Sequence, residues 1–208
     1  MKKLLSIISA LLLTVTGYAQ DGEVGEFTIQ PMAGITATSA FNLSYEAFGE
    51  IENQTGIGFT IGADFGYRAS EAFYPTVGLH VIQSVTGFEL GHHDVDITAT
   101  NFAIPVLANF NVSDIRLGIG IQPMFNLGKS TSDNLSDVKD AIKKNTIAIP
   151  IVVGYEFDNG LTLEFRAAYD VTKSVDYDSA KTGNIDRVKK LSTNNLTGMV
   201  TVGYKFKM

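Results

Sequence analysis

The chain has neither cysteine nor tryptophan among its 208 residues. Without cysteine there is no disulfide framework, no zinc–thiolate site, no thiol nucleophile and no lipidated N-terminal cysteine. Charge is sparse, at 18%, and bases are outnumbered by acids, 16 to 22. A formal net charge of −6 offers no basic face to phosphates, which excludes a nucleic-acid partner. Past the N-terminus, no apolar run reaches the roughly 18 residues that a transmembrane helix requires.

What is present is a chain that is 45% hydrophobic, with twenty glycines. Residues 1–19 read as a secretory signal: Lys2 and Lys3, an apolar run from Leu4 to Val15, then Gly17-Tyr18-Ala19 with small residues at the cleavage positions. Removing 19 of 208 residues leaves 189, starting at Gln20, the size of one domain. Losing both lysines takes the charge from −6 to −8. An exported chain this apolar is either a soluble β protein with a large core or a membrane β-barrel.

Beyond that segment the hydrophobic period is two. Eight segments alternate: 27–38, 56–68, 73–85, 101–110, 115–127, 146–157, 161–172 and 196–206. Each has 10 to 13 residues. A tilted membrane-crossing strand needs about 9–11 residues, against roughly 5–6 for the usual globular strand. One face, running from Phe27 through Phe206, has 49 positions and no charge; Gln83 is its one strongly polar side chain. The opposite face has 47 positions and eight charges: Asp64, Arg68, Arg116, Glu156, Glu164, Arg166, Asp170 and Lys205. Ten of its positions are glycine. Glycine weakens an exposed strand but suits the crowded inside of a narrow barrel. The bulky apolar face then meets lipid, as in outer-membrane barrels.

The connections between these segments run 17, 4, 15, 4, 18, 3 and 23 residues. Alternating long and short connections are what an up-and-down barrel with both termini in the periplasm requires. The shortest, Asp158-Asn159-Gly160, suits a three-residue hairpin loop with glycine in the left-handed position. It predicts the pairs Glu156–Thr162, Tyr155–Leu163 and Gly154–Glu164. Aromatic residues gather at the presumed periplasmic ends (Phe27, Tyr67, Phe73, Phe110, Tyr155, Phe157, Tyr204, Phe206) and at the opposite rim (Phe59, Phe125, Tyr169). Such rings favour the headgroup zone. The five prolines, Pro31, Pro75, Pro105, Pro123 and Pro150, all fall inside proposed strands, which predicts bulges or strand ends there.

Several of these segments resemble the PorT-like outer-membrane β-barrel domain family of Gram-negative bacteria. The matching pieces are Gly56-Ile57-Gly58-Phe59-Thr60-Ile61-Gly62 with Tyr67-Arg68, Asn101-Phe102-Ala103-Ile104-Pro105-Val106-Leu107, Gly154-Tyr155-Glu156-Phe157, and the closing Val202-Gly203-Tyr204-Lys205-Phe206. The likeness spans nearly all of residues 25–208. The chain departs from it by ending on Lys207-Met208 rather than on an aromatic. The resemblance implies an eight-stranded outer-membrane barrel and carries over no catalytic residue.

The expectation is therefore an all-β, eight-stranded antiparallel up-and-down transmembrane barrel spanning 20–208, with long extracellular loops. The eight inward charges form a structural network: a narrow interior forces burial, and buried charges need partners. Neither a catalytic, a cofactor nor a metal site is expected. His92-His93-Asp94 with Asp96 reads as a solvated loop, since adjacent histidines point apart on an extended chain. His80 and Ser84 share an inward face, away from lipid substrate. Residues 136–145 read as a short helix over the barrel mouth, with Ser136 as cap and Val138, Ala141 and Ile142 as an apolar stripe. The 173–195 connection reads as a polar, solvated loop. Expected partners are outer-membrane lipids and an envelope or extracellular protein met through the long loops, with the chain itself monomeric. Two other readings stand beside this one: an outer-membrane enzyme acting on lipid or protein, and a soluble exported barrel of the lipocalin kind.

Overall fold

The computed structural model describes residues 24–47, 51–90, 93–112, 114–131, 142–178 and 188–208. The expected signal segment lies outside them, as do His92 and residues 136–141 of the expected short helix. The strands are β1 (Phe27–Ala47), β2 (Ile51–Tyr67), β3 (Phe73–Leu90), β4 (His93–Ala103), β5 (Val106–Val112), β6 (Ile115–Thr131), β7 (Asn145–Glu156), β8 (Leu161–Asp170), β9 (Val175–Asp178), β10 (Val188–Tyr204) and β11 (Phe206–Lys207). They make eight staves. β4 and β5 form one, interrupted at Ile104-Pro105, and both pair with β3 and β6. β8 and β9 follow one another along β10, and β10 and β11 follow one another along β1. Every pairing is antiparallel, and β1 closes the barrel against β10, Met32 lying opposite Gly203 and Phe41 opposite Asn194.

The sequence period sets which face is which. Ile57, Phe59, Ile61 and Phe65 of β2 are exposed, while Thr60, Asp64 and Gly66 between them are buried. β7 and β8 repeat the pattern, with Ile147, Ile149, Ile151, Val153, Tyr155 and Phe157 exposed and Thr162, Glu164, Arg166, Ala168 and Asp170 buried. Apolar side chains face out and polar ones face in. A soluble barrel of the lipocalin kind has the reverse arrangement, and that reading is excluded. Among the described residues no helix is long and apolar enough to cross a membrane; the crossing is made by strands.

The tight turn behaves as its residues require. Phe157 N donates to Leu161 O at 2.8 Å, and Gly160 has φ 82°, a left-handed backbone that side chains rarely adopt. The three expected pairs, Glu156–Thr162, Tyr155–Leu163 and Gly154–Glu164, are all present. At the short-turn end the aromatics meet in pairs: Phe27 with Tyr67 at 4.9 Å, Phe73 with Phe110 at 5.4 Å, Tyr155 with Phe157 and Tyr204 with Phe206 at 4.8 Å. At the other rim Tyr169 meets Phe41 at 5.6 Å.

Two expectations are corrected. The strands outrun the apolar segments: 39–55 and 86–100 are mostly ladder rather than loop, and His93, Asp94 and Asp96 lie in β4. Loss of the charge-free face marks where lipid ends. It does not mark where hydrogen bonding ends, because a ladder also forms in water. For the same reason part of 173–195 is strand, in β9 and β10. Pro105 meets the expectation of a strand end, lying in the break between β4 and β5, but none of the five prolines sits at a bulge. The ladder passes from Ile29–Phe206 to Met32–Gly203 around Pro31, and from Ala103–Met124 to Val106–Ile121 around Pro105 and Pro123, with the register unchanged. Pro150 faces the gap between Ile119–Ile151 and Gln122–Ala148, and Pro75 lies just past the end of the β2–β3 ladder. Each proline removes one donor and leaves a gap, while its φ remains compatible with a strand. The register shifts fall elsewhere, at Phe41/Ser44, Glu46/Ala47, Thr55/Thr60 and Thr100/Asn101.

The exposed face generates a stability prediction. Ile61→Arg and Ile151→Arg should each destabilise folding in a bilayer by about 2–4 kcal/mol if they lie near the midplane. Urea titration of folding into lipid vesicles measures it. Unchanged midpoints in both variants would mean that this face does not meet hydrocarbon.

Candidate functional site in the barrel interior

Charged side chains in a narrow barrel must pair with one another, because lipid surrounds the wall and no bulk water solvates the centre. The structure brings four of the eight expected residues into one connected group. Arg166 Nη2 lies 3.1 Å from Asp64 Oδ2 and 2.6 Å from Glu164 Oε1. Arg116 Nη2 pairs with the other Glu164 oxygen, Oε2. All four are buried. Two carboxylates and two guanidiniums balance, and each acid touches at least one base.

The group extends through neutral partners. His80 Nε2 sits 2.8 Å from Asp64 Oδ1, so it carries the proton of that hydrogen bond. Arg116 Nη1 donates to Gln30 Oε1 at 3.1 Å, and Gln30 Nε2 donates to Thr162 Oγ1 at 3.1 Å. Staves β1, β2, β3, β6 and β8 are thereby tied across the lumen. Sequence reasoning placed His80 on the inward face without its carboxylate partner and did not single out Gln30. Their common signal is a long polar side chain on the same face as the charges.

Lys205 and Glu156 form a separate pair nearer the short-turn end, with Lys205 Nζ also 4.9 Å from the centre of the Tyr74 ring. The Tyr74 hydroxyl meets Thr28 Oγ1. Arg68 is half-buried at the same end. Asp170 is apart from all of these. It is buried at the opposite end of β8, where it accepts a hydrogen bond from Ser174 Oγ.

Glycine makes room for these groups. A Cβ on Gly66 would run into the Tyr74 ring, and one on Gly78 into Asp64 Oδ1 and Pro105. Toward the long-connection end an apolar layer crosses the lumen: Ile82, Ala103, Met124, Ala148, Ala168 and Met199, all buried. The interior is thus stacked, with charge below and a hydrocarbon seal above.

Removing Glu164 leaves both Arg116 and Arg166 short of a partner in a buried site. Glu164→Ala should cost about 3–5 kcal/mol, as for one half of a buried ion pair. Combining it with Arg116→Met should cost less than the two single changes added together. Urea midpoints for the single and double variants, followed by heat-modifiable gel migration, measure this. Strict additivity would show that the contact carries no coupling.

A family model of the outer membrane protein β-barrel domain matches residues 18–176. Among solved structures, the outer membrane protein OprG of Pseudomonas aeruginosa superposes with a TM-score of 0.55 at 12% identity, covering 91% of this chain and 99% of its own. Ail, the attachment invasion locus protein of Yersinia pestis, gives 0.45 at 13% identity, covering 88% and 100%. No curated protein matches the sequence. At 12% identity the likeness to OprG speaks to the fold alone, and it agrees with the closed eight-stave wall described above. The family model covers more than half of the chain, so its location is the outer membrane, and the chain belongs to the outer membrane protein β-barrel domain family.

Proposed function

We propose that this chain is a non-enzymatic outer-membrane barrel, closed to bulk solutes, with a structural or surface-interaction role. The observation that carries the reading is the stacked interior: the balanced group of Asp64, Glu164, Arg116 and Arg166 beneath the layer from Ile82 to Met199. An ion crossing the lumen would have to separate the first and lose its water in the second. The interior His80 supports the non-enzymatic part, since its ring is buried against Asp64 rather than presented at a rim. The strand extensions of β1, β2, β3 and β4 beyond the apolar band are the surface that an envelope or extracellular partner would meet. The motifs at 56–62, 101–107 and 202–206 support placement among PorT-like barrels. The N-terminal pattern supports cleavage after Ala19. A monomer suffices, since β1 and β10 leave no open edge.

Reconstitution in planar bilayers tests the reading. The wild-type protein should give no stable large conductance, because eight staves leave room for little more than side chains. Glu164→Ala should leak more, in short openings. A steady, solute-permeable pore in the wild-type protein would contradict the proposal.

A further inference from the structure

On the long-connection side of the apolar layer the lumen opens into a cavity of about 40 Å³. One water needs roughly 10–15 Å³ of such space, so the cavity has room for about three heavy atoms. Its floor is set by register. Gln122, Ala148 and Asp170 are successive partners across β6, β7 and β8; Gln122 and Asp170 line the cavity, and the short Ala168, two residues before Asp170, lines it beside them. Asn195, which donates its backbone N–H to Asp170, stands on the next stave.

Beside the hydroxyls of Ser84, Thr86 and Thr197, the cavity is lined by three acceptor groups that lack a partner or a balancing charge. Gln122 is fully buried; its Nε2 reaches only Met124 Sδ, at 3.4 Å, and its Oε1 has no partner. The sulfur accepts and cannot donate, so it takes the amide NH2, and Oε1 is the amide atom left without a partner. Asn195 Oδ1 is also buried without a partner. Asp170 accepts from Ser174 Oγ and from the Asn195 backbone, both neutral donors, and among the described residues no cation pairs with it. Lys143, at the mouth, is engaged by Asp176 at 2.9 Å, and Lys173 shares the same carboxylate at 3.2 Å. Three acceptor groups, one of them a carboxylate, thus line one small cavity whose apolar wall includes Ile82, Met124 and Met199.

We propose that this cavity binds a primary ammonium group carried on a short, unbranched apolar stem. An ammonium has three N–H donors, one for each acceptor group, and its charge balances Asp170. The stem, one or two carbons inside the cavity, lies against the apolar wall. A quaternary ammonium lacks the donors and exceeds the space. A carboxylate repels Asp170 and offers no donor to Gln122 or Asn195.

Full-length protein folded in detergent, with methyl-labelled alanine and methionine, tests this against ethylammonium chloride. The Ala168, Met124 and Met199 methyl resonances should shift saturably, with a dissociation constant in the millimolar range, the limit for so few atoms. Tetramethylammonium and acetate should leave them unmoved. Asp170→Asn should weaken binding about tenfold or more, since it removes a charge-assisted contact. Ala168→Leu should abolish binding by filling the cavity, with heat-modifiable migration showing that both variants fold. The proposal fails if no saturable shift occurs, or if tetramethylammonium or acetate reproduces it. It fails equally if folded Asp170→Asn or Ala168→Leu binds as the wild type does. None of these results bears on conductance, so the closed-barrel reading stands or falls separately.

Discussion

In hydrocarbon, a peptide N–H or C=O left without a partner costs several kcal/mol, so a sheet that crosses a membrane must have no free edge. The pairing of β1 with β10 meets that condition here. Once the sheet closes with eight staves, its circumference is set, and with it an interior about as wide as its own side chains. The inward glycines follow from that width: Gly66 exists beside the Tyr74 ring, and Gly78 beside Asp64, because any larger residue would occupy the same space. The closure also explains how a wall interrupted by five prolines survives. Each missing donor opens a local gap, yet the register on both sides is unchanged, so the ring of pairings is continuous.

The same narrowness governs charge. An isolated ion in this lumen would be far too costly, and the chain meets the cost by bringing two acids and two bases together. Glu164 is central, since its two oxygens engage Arg116 and Arg166 separately. Asp64 completes the balance through Arg166 and uses its second oxygen for His80. Replacing such a group by hydrocarbon of equal volume is often neutral for stability. Its role is therefore better described as fixing which staves face one another across the lumen than as adding net stability.

Much of this was legible in the sequence because two physical facts leave a periodic trace. Lipid demands apolar side chains at every second residue, and that gave the strands, the phase and the inward position of Asp64, Arg116, Glu164 and Arg166. The Asp158-Asn159-Gly160 turn fixed a register that the structure reproduces pair for pair. Features without a periodic signature were not legible. The ends of β1, β3 and β4 were missed because polar residues carry the ladder on into water. The joining of Asp64 to His80, and of Arg116 to Gln30, depends on the relative stagger of staves distant in sequence, which no single segment encodes. Asp170 looked like one more member of the charge group, yet it sits on β8 at the far end from Glu164.

That last difference follows from where the small residues fall. Ala103, Ala148 and Ala168 are placed on three different staves, and Met124, Met199 and Ile82 lean in to cover them. Three short side chains and three long ones make a flat layer rather than a plug filling the whole lumen. Below the layer, every charge is surrounded by protein and must find its partner there. Above it, a cavity lined by Gln122, Ala168 and Asp170 is left open, and polar groups there can be left for something from outside to satisfy. A uniform interior could not do both. Charge pairing at one end needs a tightly filled lumen, whereas a recess at the other needs residues too short to fill it. The alanines mark the boundary at which the barrel changes from one condition to the other.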